Sequence, residues 1–233
     1  MASLIESIEV ETVRANVAIA RERIADAAVR AGRDSAQVEL LAATKYVPLE
    51  LMGKLVEAGI VLAGENTAQD LAAKHERLSN RITFDFIGHL QSRKTKDVLP
   101  LVRLIHSVES ASVVARIERH ATAPVEVLLE VNASGEQSKF GLTPSDVDPF
   151  IDAASTEAPK VRFAGLMTMP PFTDDPERAR PCFSALYDLA QRLRRDWGPQ
   201  HGFKTLSMGT SQDYEVAVEE GATIVRLGAV LYE

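Results

Sequence analysis

The 233 residues are 45% hydrophobic and 25% charged, enough for a sizeable core and far from a disordered composition. The net charge of −7, from 26 basic against 33 acidic side chains, argues against nucleic-acid or anionic-membrane partners. A single cysteine, Cys182, excludes an internal disulfide and fits a reducing, cytoplasmic setting, and the start MASLIESIEVETV lacks the basic segment and apolar core of a signal peptide.

In chain order, residues 4 to 31 read as one long helix. Leu4, Ile8, Val13, Val17, Ala20, Ile24, Ala28 and Ala31 recur at helical spacing, and Gly32 ends the run. Short β-rich runs follow at Val38 to Thr44, Ile60 to Ala63, Thr83 to Ile87, Val102 to His106, Val125 to Val131, Val161 to Leu166, Thr205 to Ser207 and Thr223 to Leu227. Amphipathic stretches fill the gaps: Leu49 to Ala58, Thr67 to Leu78, Gln91 to Leu99, Ser110 to Ala121, Ser145 to Ala154, Pro176 to Trp197 and Ser211 to Glu220. No Pro/Gly/Ser-rich linker divides the chain, and no run reaches the ~20 apolar residues of a membrane span. Eight βα units in about two hundred residues predict an α/β fold, a single (β/α)8 TIM barrel over residues 1–233 with an extra N-terminal helix. An open doubly wound sheet is the rival, but its Gly-rich first turn is replaced here by Thr44-Lys45-Tyr46.

Active sites of such barrels sit at the C-terminal ends of the strands. The polar residues there include Lys45, Asn66, His89, His106, Asn132, Ser207 and Arg226. Lys45 ends the apolar run VELLAAT, where a partly dry setting lets an amine lose its proton and attack a carbonyl; a snorkelling or paired lysine is the plainer reading. SMGTS, from Ser207 to Ser211, reads either as a helix cap or as an anion cradle, with Gly209 permitting close backbone approach and Thr210 and Ser211 offering hydroxyls. Val225 to Ala229 supplies a second small-residue turn through Gly228. Arg226 interrupts an apolar strand and needs a partner, either a carboxylate such as Glu65 or a cofactor ring nitrogen. A Schiff-base lysine with a phosphate cradle suggests pyridoxal phosphate. Ser138 and Lys139 read as an anion contact or a solvated loop, and the basic run Arg93 to Lys96 suggests a nearby anion or a solvated face. No metal-ligand spacing is present.

An ordered set of short motifs carries a resemblance. Ala43 to Lys45 with Pro48, Gly64 to Asn66, Phe86 to Gln91 with Lys94, Ile105 to Val108, Val131-Asn132 with Ser138 to Gly141, Gly165 to Met167, Ser207 to Ser211 with Asp213, and Val225 to Gly228 occur in this order. Together they resemble the pyridoxal phosphate homeostasis proteins, over about residues 5 to 231. The resemblance implies a barrel similar to the N-terminal domain of alanine racemase, with pyridoxal 5′-phosphate as an aldimine on Lys45. It implies that Ser207, Gly209, Thr210, Gly228 and Ala229 hold the phosphate, with Ser211 in the same turn. Arg226 would face the ring nitrogen, and Asn66 and Met167 would line the ring. Two positions depart from the family pattern. Arg93 stands where Asn is usual, and Ala229 replaces a hydroxyl residue, which removes about 1 kcal/mol of side-chain hydrogen bonding to the phosphate.

Two function classes share these residues. The resemblance implies a cofactor carrier without catalysis, with apo-enzymes as recipients; a monomer is expected, though the sequence does not set the oligomeric state. The rival is a racemase-like enzyme, which needs two bases on opposite faces of the cofactor. The expected second domain that would supply the other base has no counterpart between Lys45 and Glu233, which favours the carrier.

Overall fold

The computed structural model describes residues 4–136 and 140–233. Eight parallel strands close into a barrel in sequence order. They are β1 (Glu39–Ala43), β2 (Leu62–Glu65), β3 (Thr83–Phe86), β4 (Ile105–Val108), β5 (Val125–Glu130), β6 (Val161–Met167), β7 (Thr205–Thr210) and β8 (Ile224–Leu227). The helices are α1 (Val10–Arg30), α2 (Met52–Glu57), α3 (Ala68–Leu78), α4 (Thr95–Val98), α5 (Ala111–His120), α6 (Val147–Glu157), α7 (Arg180–Trp197), α8 (Tyr214–Glu219) and α9 (Ala229–Tyr232). The expected (β/α)8 barrel with an additional N-terminal helix is the observed architecture. No helix among the described residues is long and apolar enough to cross a membrane.

Several boundaries differ from the sequence spacing for identifiable reasons. The first helix starts at Val10 and not near residue 4. Its upstream backbone is committed elsewhere: the Ile5 N–H donates to the Tyr46 carbonyl at 2.9 Å, and Lys54 Nζ donates to the Ile8 carbonyl at 2.7 Å. A carbonyl held by a tertiary partner does not serve a helix turn. The second strand runs to Glu65 and the seventh to Thr210, so most of SMGTS is strand and not loop. The stretch expected as a helix over Gln91 to Leu99 keeps only a short α4 between two 3₁₀ turns, Ser92–Lys94 and Leu99–Leu101. Pro100 cannot donate a helical N–H, which limits its length.

Apolar residues pack in two places. Most lie between the barrel and its helices. A smaller set inside the barrel joins Leu41, Leu62, Leu104, Leu128, Met167 and Ile224. The rest of the interior is polar: Asp85, His106, Ser207 and Arg226 are all buried. β6 and β7 approach so closely that a Cβ on Gly165 would sit 1.7 Å from the Thr205 carbonyl oxygen, a contact that only glycine permits.

Candidate functional site

A cavity of about 810 Å³ opens at the C-terminal end of the barrel. That volume lies within the usual range for small-molecule sites. Its lining includes Lys45, Asn66, Met167 and Arg226, together with the two turns Thr210–Ser211 and Gly228–Ala229. Parallel strands bring these together because each contributes the residues at its own C-terminal end.

Lys45 lies just beyond β1 and is exposed in the cavity mouth. Its Nζ sits 5.0 Å from the centre of the Tyr46 ring. The partly dry setting expected from the apolar run is therefore not what surrounds the amine. Thr44, one residue earlier and just past the end of β1, is buried, and the chain then turns outward.

The backbone that presents Lys45 is held from below. Lys74, on the buried face of α3 with Leu71 and Leu78, donates to the Thr44 carbonyl at 2.8 Å and to Glu65 Oε1 at 2.6 Å. The Thr44 hydroxyl donates to the same carboxylate oxygen. Sequence reading missed Lys74. The signal was a lysine at helical spacing between two core leucines, a position that requires a buried partner.

Arg226, in β8, is 5% exposed. It donates to the Ser207 hydroxyl and, at 2.9 Å, to the Thr168 carbonyl. The carboxylate partner expected at Glu65 is not there, because Glu65 is paired with Lys74. Among the described residues no carboxylate forms an ion pair with Arg226. Burial pushes its guanidinium down to about 10, against the pull of Asp213 and Glu130. It still carries its charge at neutral pH.

Ser207 and Gly209 stand behind the cavity wall. The Ser207 side chain is fully buried, with its hydroxyl between Arg226 and His106. Gly209 has φ +91°, and a Cβ there would lie 2.6 Å from the Ala217 Cβ. It therefore shapes the turn by letting α8 pack against β7. The adjoining residues face the cavity. Asp213 accepts from the Thr210 N–H at 2.6 Å and from its hydroxyl at 3.0 Å. The Ser211 hydroxyl accepts from the N–H groups of Gly228 at 3.1 Å and Val230 at 3.4 Å, joining the two turns into one polar cradle.

Glu130 was also missed. It follows Leu128 by two residues at the end of β5, so both point to the barrel interior. It is buried, and burial pushes its carboxyl up to about 7, with Glu109 adding to the rise and Arg226 opposing it. Glu109 is itself 2.9 Å from His89 Nδ1. Ser138 and Lys139 lie outside the described residues. The basic run Arg93 to Lys96 does not line the cavity; Arg93 bonds Gln91 at 3.0 Å and Lys94 faces Asp97 at 3.9 Å. No cluster of metal-binding side chains occurs among the described residues.

The alanine racemase N-terminal domain family matches residues 8–233. A pyridoxal phosphate homeostasis protein from Aquifex aeolicus is 39% identical over 215 residues, covering 91% of this chain and 93% of that protein. A solved structure of an unknown protein from Bifidobacterium adolescentis superposes with a TM-score of 0.86 at 33% identity, over 99% of this chain and 98% of the other. PipY from Synechococcus elongatus, solved with pyridoxal phosphate bound, superposes with a TM-score of 0.76 at 28% identity, over 91% of this chain and 99% of its own. With this barrel and this constellation of side chains at its mouth, the chain belongs to the pyridoxal phosphate homeostasis protein family.

Proposed function

We propose that this protein binds pyridoxal 5′-phosphate in the cavity at the strand ends and serves vitamin B6 homeostasis as a non-catalytic carrier. The observation that carries this reading is the convergence of Lys45, Arg226 and the Thr210–Ser211 and Gly228–Ala229 turns on one cavity. The chemistry of the donors fits the group. A lysine amine suits its aldehyde, and the Ser211 hydroxyl, whose proton has no acceptor among the described residues, suits its phosphate, with the Thr210 hydroxyl turning to it from Asp213. Arg226 suits a ring nitrogen that accepts, since a guanidinium can only donate. Asn66 and Met167 flank the ring in this reading. When bound, pyridoxal phosphate supplies an aldehyde that forms a Schiff base with an amine and a ring that draws electrons.

The residues of this chain temper that second property. Arg226 has no proton to give up at neutral pH, so the ring nitrogen beside it stays unprotonated and draws electrons weakly. Lys45 is exposed, so water reaches the amine and the link to the aldehyde is open to hydrolysis. Both features suit holding and release. The recipients in this reading are apo-enzymes that require the cofactor. PipY with pyridoxal phosphate bound supports the ligand, and the name of the Aquifex relative supports the physiological role.

One observation favours a racemase-like alternative. Glu130 lines the cavity with a carboxyl pushed up to about 7, a value suited to exchanging protons at neutral pH. The deciding experiment is α-proton exchange. The loaded protein is mixed with L- and D-amino acids in heavy water, and the α-proton signals are followed by NMR beside Lys45→Ala. Absence of exchange above free cofactor is the expected result. Lys45-dependent exchange overturns the carrier reading in favour of an enzyme.

A further inference from the structure

The polar side chains inside the barrel form one directed chain. Arg226 Nη1 donates to Ser207 Oγ, which lies 2.8 Å from His106 Nδ1. His106 Nε2 lies 3.1 Å from Asp85 Oδ2. Asp85 in turn accepts from Arg103 Nε at 3.0 Å and Nη2 at 2.7 Å, and Arg103 Nη1 reaches Glu39 Oε2 at 2.8 Å. Glu39 opens β1 at the far end of the barrel, whereas Arg226 lines the cavity at the near end. Asp85, His106 and Ser207 are completely buried, so their hydrogen bonds must be satisfied within the chain.

Donor and acceptor counting leaves one arrangement. Burial works against an ionised Asp85, but hydrogen bonds from His106 and Arg103 outweigh it and hold the carboxyl below its usual range. An ionised carboxylate only accepts, so His106 Nε2 carries the proton. Burial lowers the His106 imidazole, Asp85 opposes, and the flanking Arg226 and Arg103 lower it further, so the ring is neutral. Nδ1 is then bare and must accept from the Ser207 hydroxyl. That leaves the Ser207 oxygen free to accept from Arg226. An imidazolium would instead place two cations on one buried hydroxyl and leave the serine proton without an acceptor.

We propose that His106 is a positioning residue: as the neutral Nε2–H tautomer between Asp85 and Ser207, it makes Ser207 an acceptor and so aims Arg226 into the cavity before any ligand arrives. With Nη1 held by Ser207, and Nη2 by the Thr168 carbonyl and, at 2.8 Å, the Met169 sulfur, the guanidinium plane is pinned, and its Nε–H and second Nη1–H are left for a ligand. The geometry is that of the protein alone and stands whether or not the cofactor reading holds.

The test is NMR of the full-length, cofactor-free protein labelled with 15N-histidine and 15N-arginine. His106 is assigned by the signal lost in His106→Gln, and Arg226 by the signal lost in Arg226→Lys. The expected wild-type result is an Nε2–H tautomer unchanged from pH 6 to 8, with separate, unaveraged Nη signals from Arg226. Ser207→Ala is expected to merge the Nη signals. Asp85→Asn, whose amide can donate to Nε2, is expected to switch His106 to the Nδ1–H tautomer and to merge the Nη signals too. A titrating imidazolium or an Nδ1–H tautomer in the wild type overturns the proposal. So does an Arg226 that stays rigid in Asp85→Asn after the tautomer has switched. Should either variant fail to fold, the wild-type tautomer still decides.

Discussion

Lys74 ties together the two strand ends that flank the cavity: its Nζ is 2.8 Å from the Thr44 carbonyl and 2.6 Å from Glu65 Oε1. Both charges are buried, at 4% exposure for Lys74 and 0% for Glu65, and Glu65 Oε2 already lacks a hydrogen-bond partner among the described residues. Removing the lysine strands a buried carboxylate, a loss of about 3–5 kcal/mol. Lys74→Met is therefore expected to lower the urea-unfolding free energy by about 3 kcal/mol or more, and Lys74→Met with Glu65→Gln to recover part of it. A single variant within ~1 kcal/mol of wild type would show that the pair contributes little.

Lys45→Ala touches no core. The side chain is exposed, and its nearest aromatic neighbour, Tyr46, is exposed too. Stability is expected to change by no more than ~0.5 kcal/mol, as for an ordinary surface substitution. The covalent adduct trapped by borohydride with pyridoxal phosphate, read by peptide mass spectrometry, should disappear. An adduct retained on another lysine would remove Lys45 from the site.

Glu130 makes stability depend on pH in a predictable direction. Its carboxyl is pushed up to about 7 in the folded protein by burial, with Glu109 adding to the rise and Arg226 opposing it. The unfolded chain titrates near the ordinary glutamate value of about 4.3. The folded state thus binds the extra proton between those values. The stabilisation is complete below the unfolded value and is lost as pH rises through 7. Relative to wild type, Glu130→Gln should gain stability between pH 5 and pH 8, by about 3 kcal/mol at most. Parallel unfolding curves of the two proteins at both pH values would contradict this.

Two glycines of the cradle separate packing from binding. Gly209 has φ +91° and a would-be Cβ only 2.6 Å from Ala217. Gly228 has no atom closer than 3.7 Å to its would-be Cβ. Gly209→Ala is expected to destabilise by about 2 kcal/mol through backbone strain and overpacking against α8. Gly228→Ala should fold with nearly wild-type stability but bind pyridoxal phosphate more weakly, because the methyl enters the turn. Thermal unfolding and fluorescence titration read the two effects apart. Equal stability losses would show that Gly228 also serves packing.

The barrel was legible because its determinants are local and repeated. Stretches such as Leu40 to Ala43 and Val127 to Leu129 are apolar on both faces, as in a parallel sheet covered by helices. Lys45, Arg226 and the two small-residue turns could be assigned to one end of the molecule, since parallel strands share a direction. The neighbouring details were less legible. The segment before Val10 has helical spacing, yet its Ile5 N–H and Ile8 carbonyl bond to Tyr46 and Lys54, residues distant in sequence. The same holds for Lys45, whose exposure depends on how the chain turns after Thr44.

By itself the sequence determined the alternation of strands and helices, the parallel barrel, and which strand ends carry reactive groups, because hydrophobic period and turn chemistry act over a few residues. Only the tertiary structure decided the pairings. Glu65 went to Lys74, and among the described residues Arg226 has no carboxylate partner. Ser207 turned from the cradle toward His106, and Asp85 became the anion beneath it. A buried charge takes whichever partner barrel closure brings within hydrogen-bond reach, and that distance depends on strands far apart in the chain.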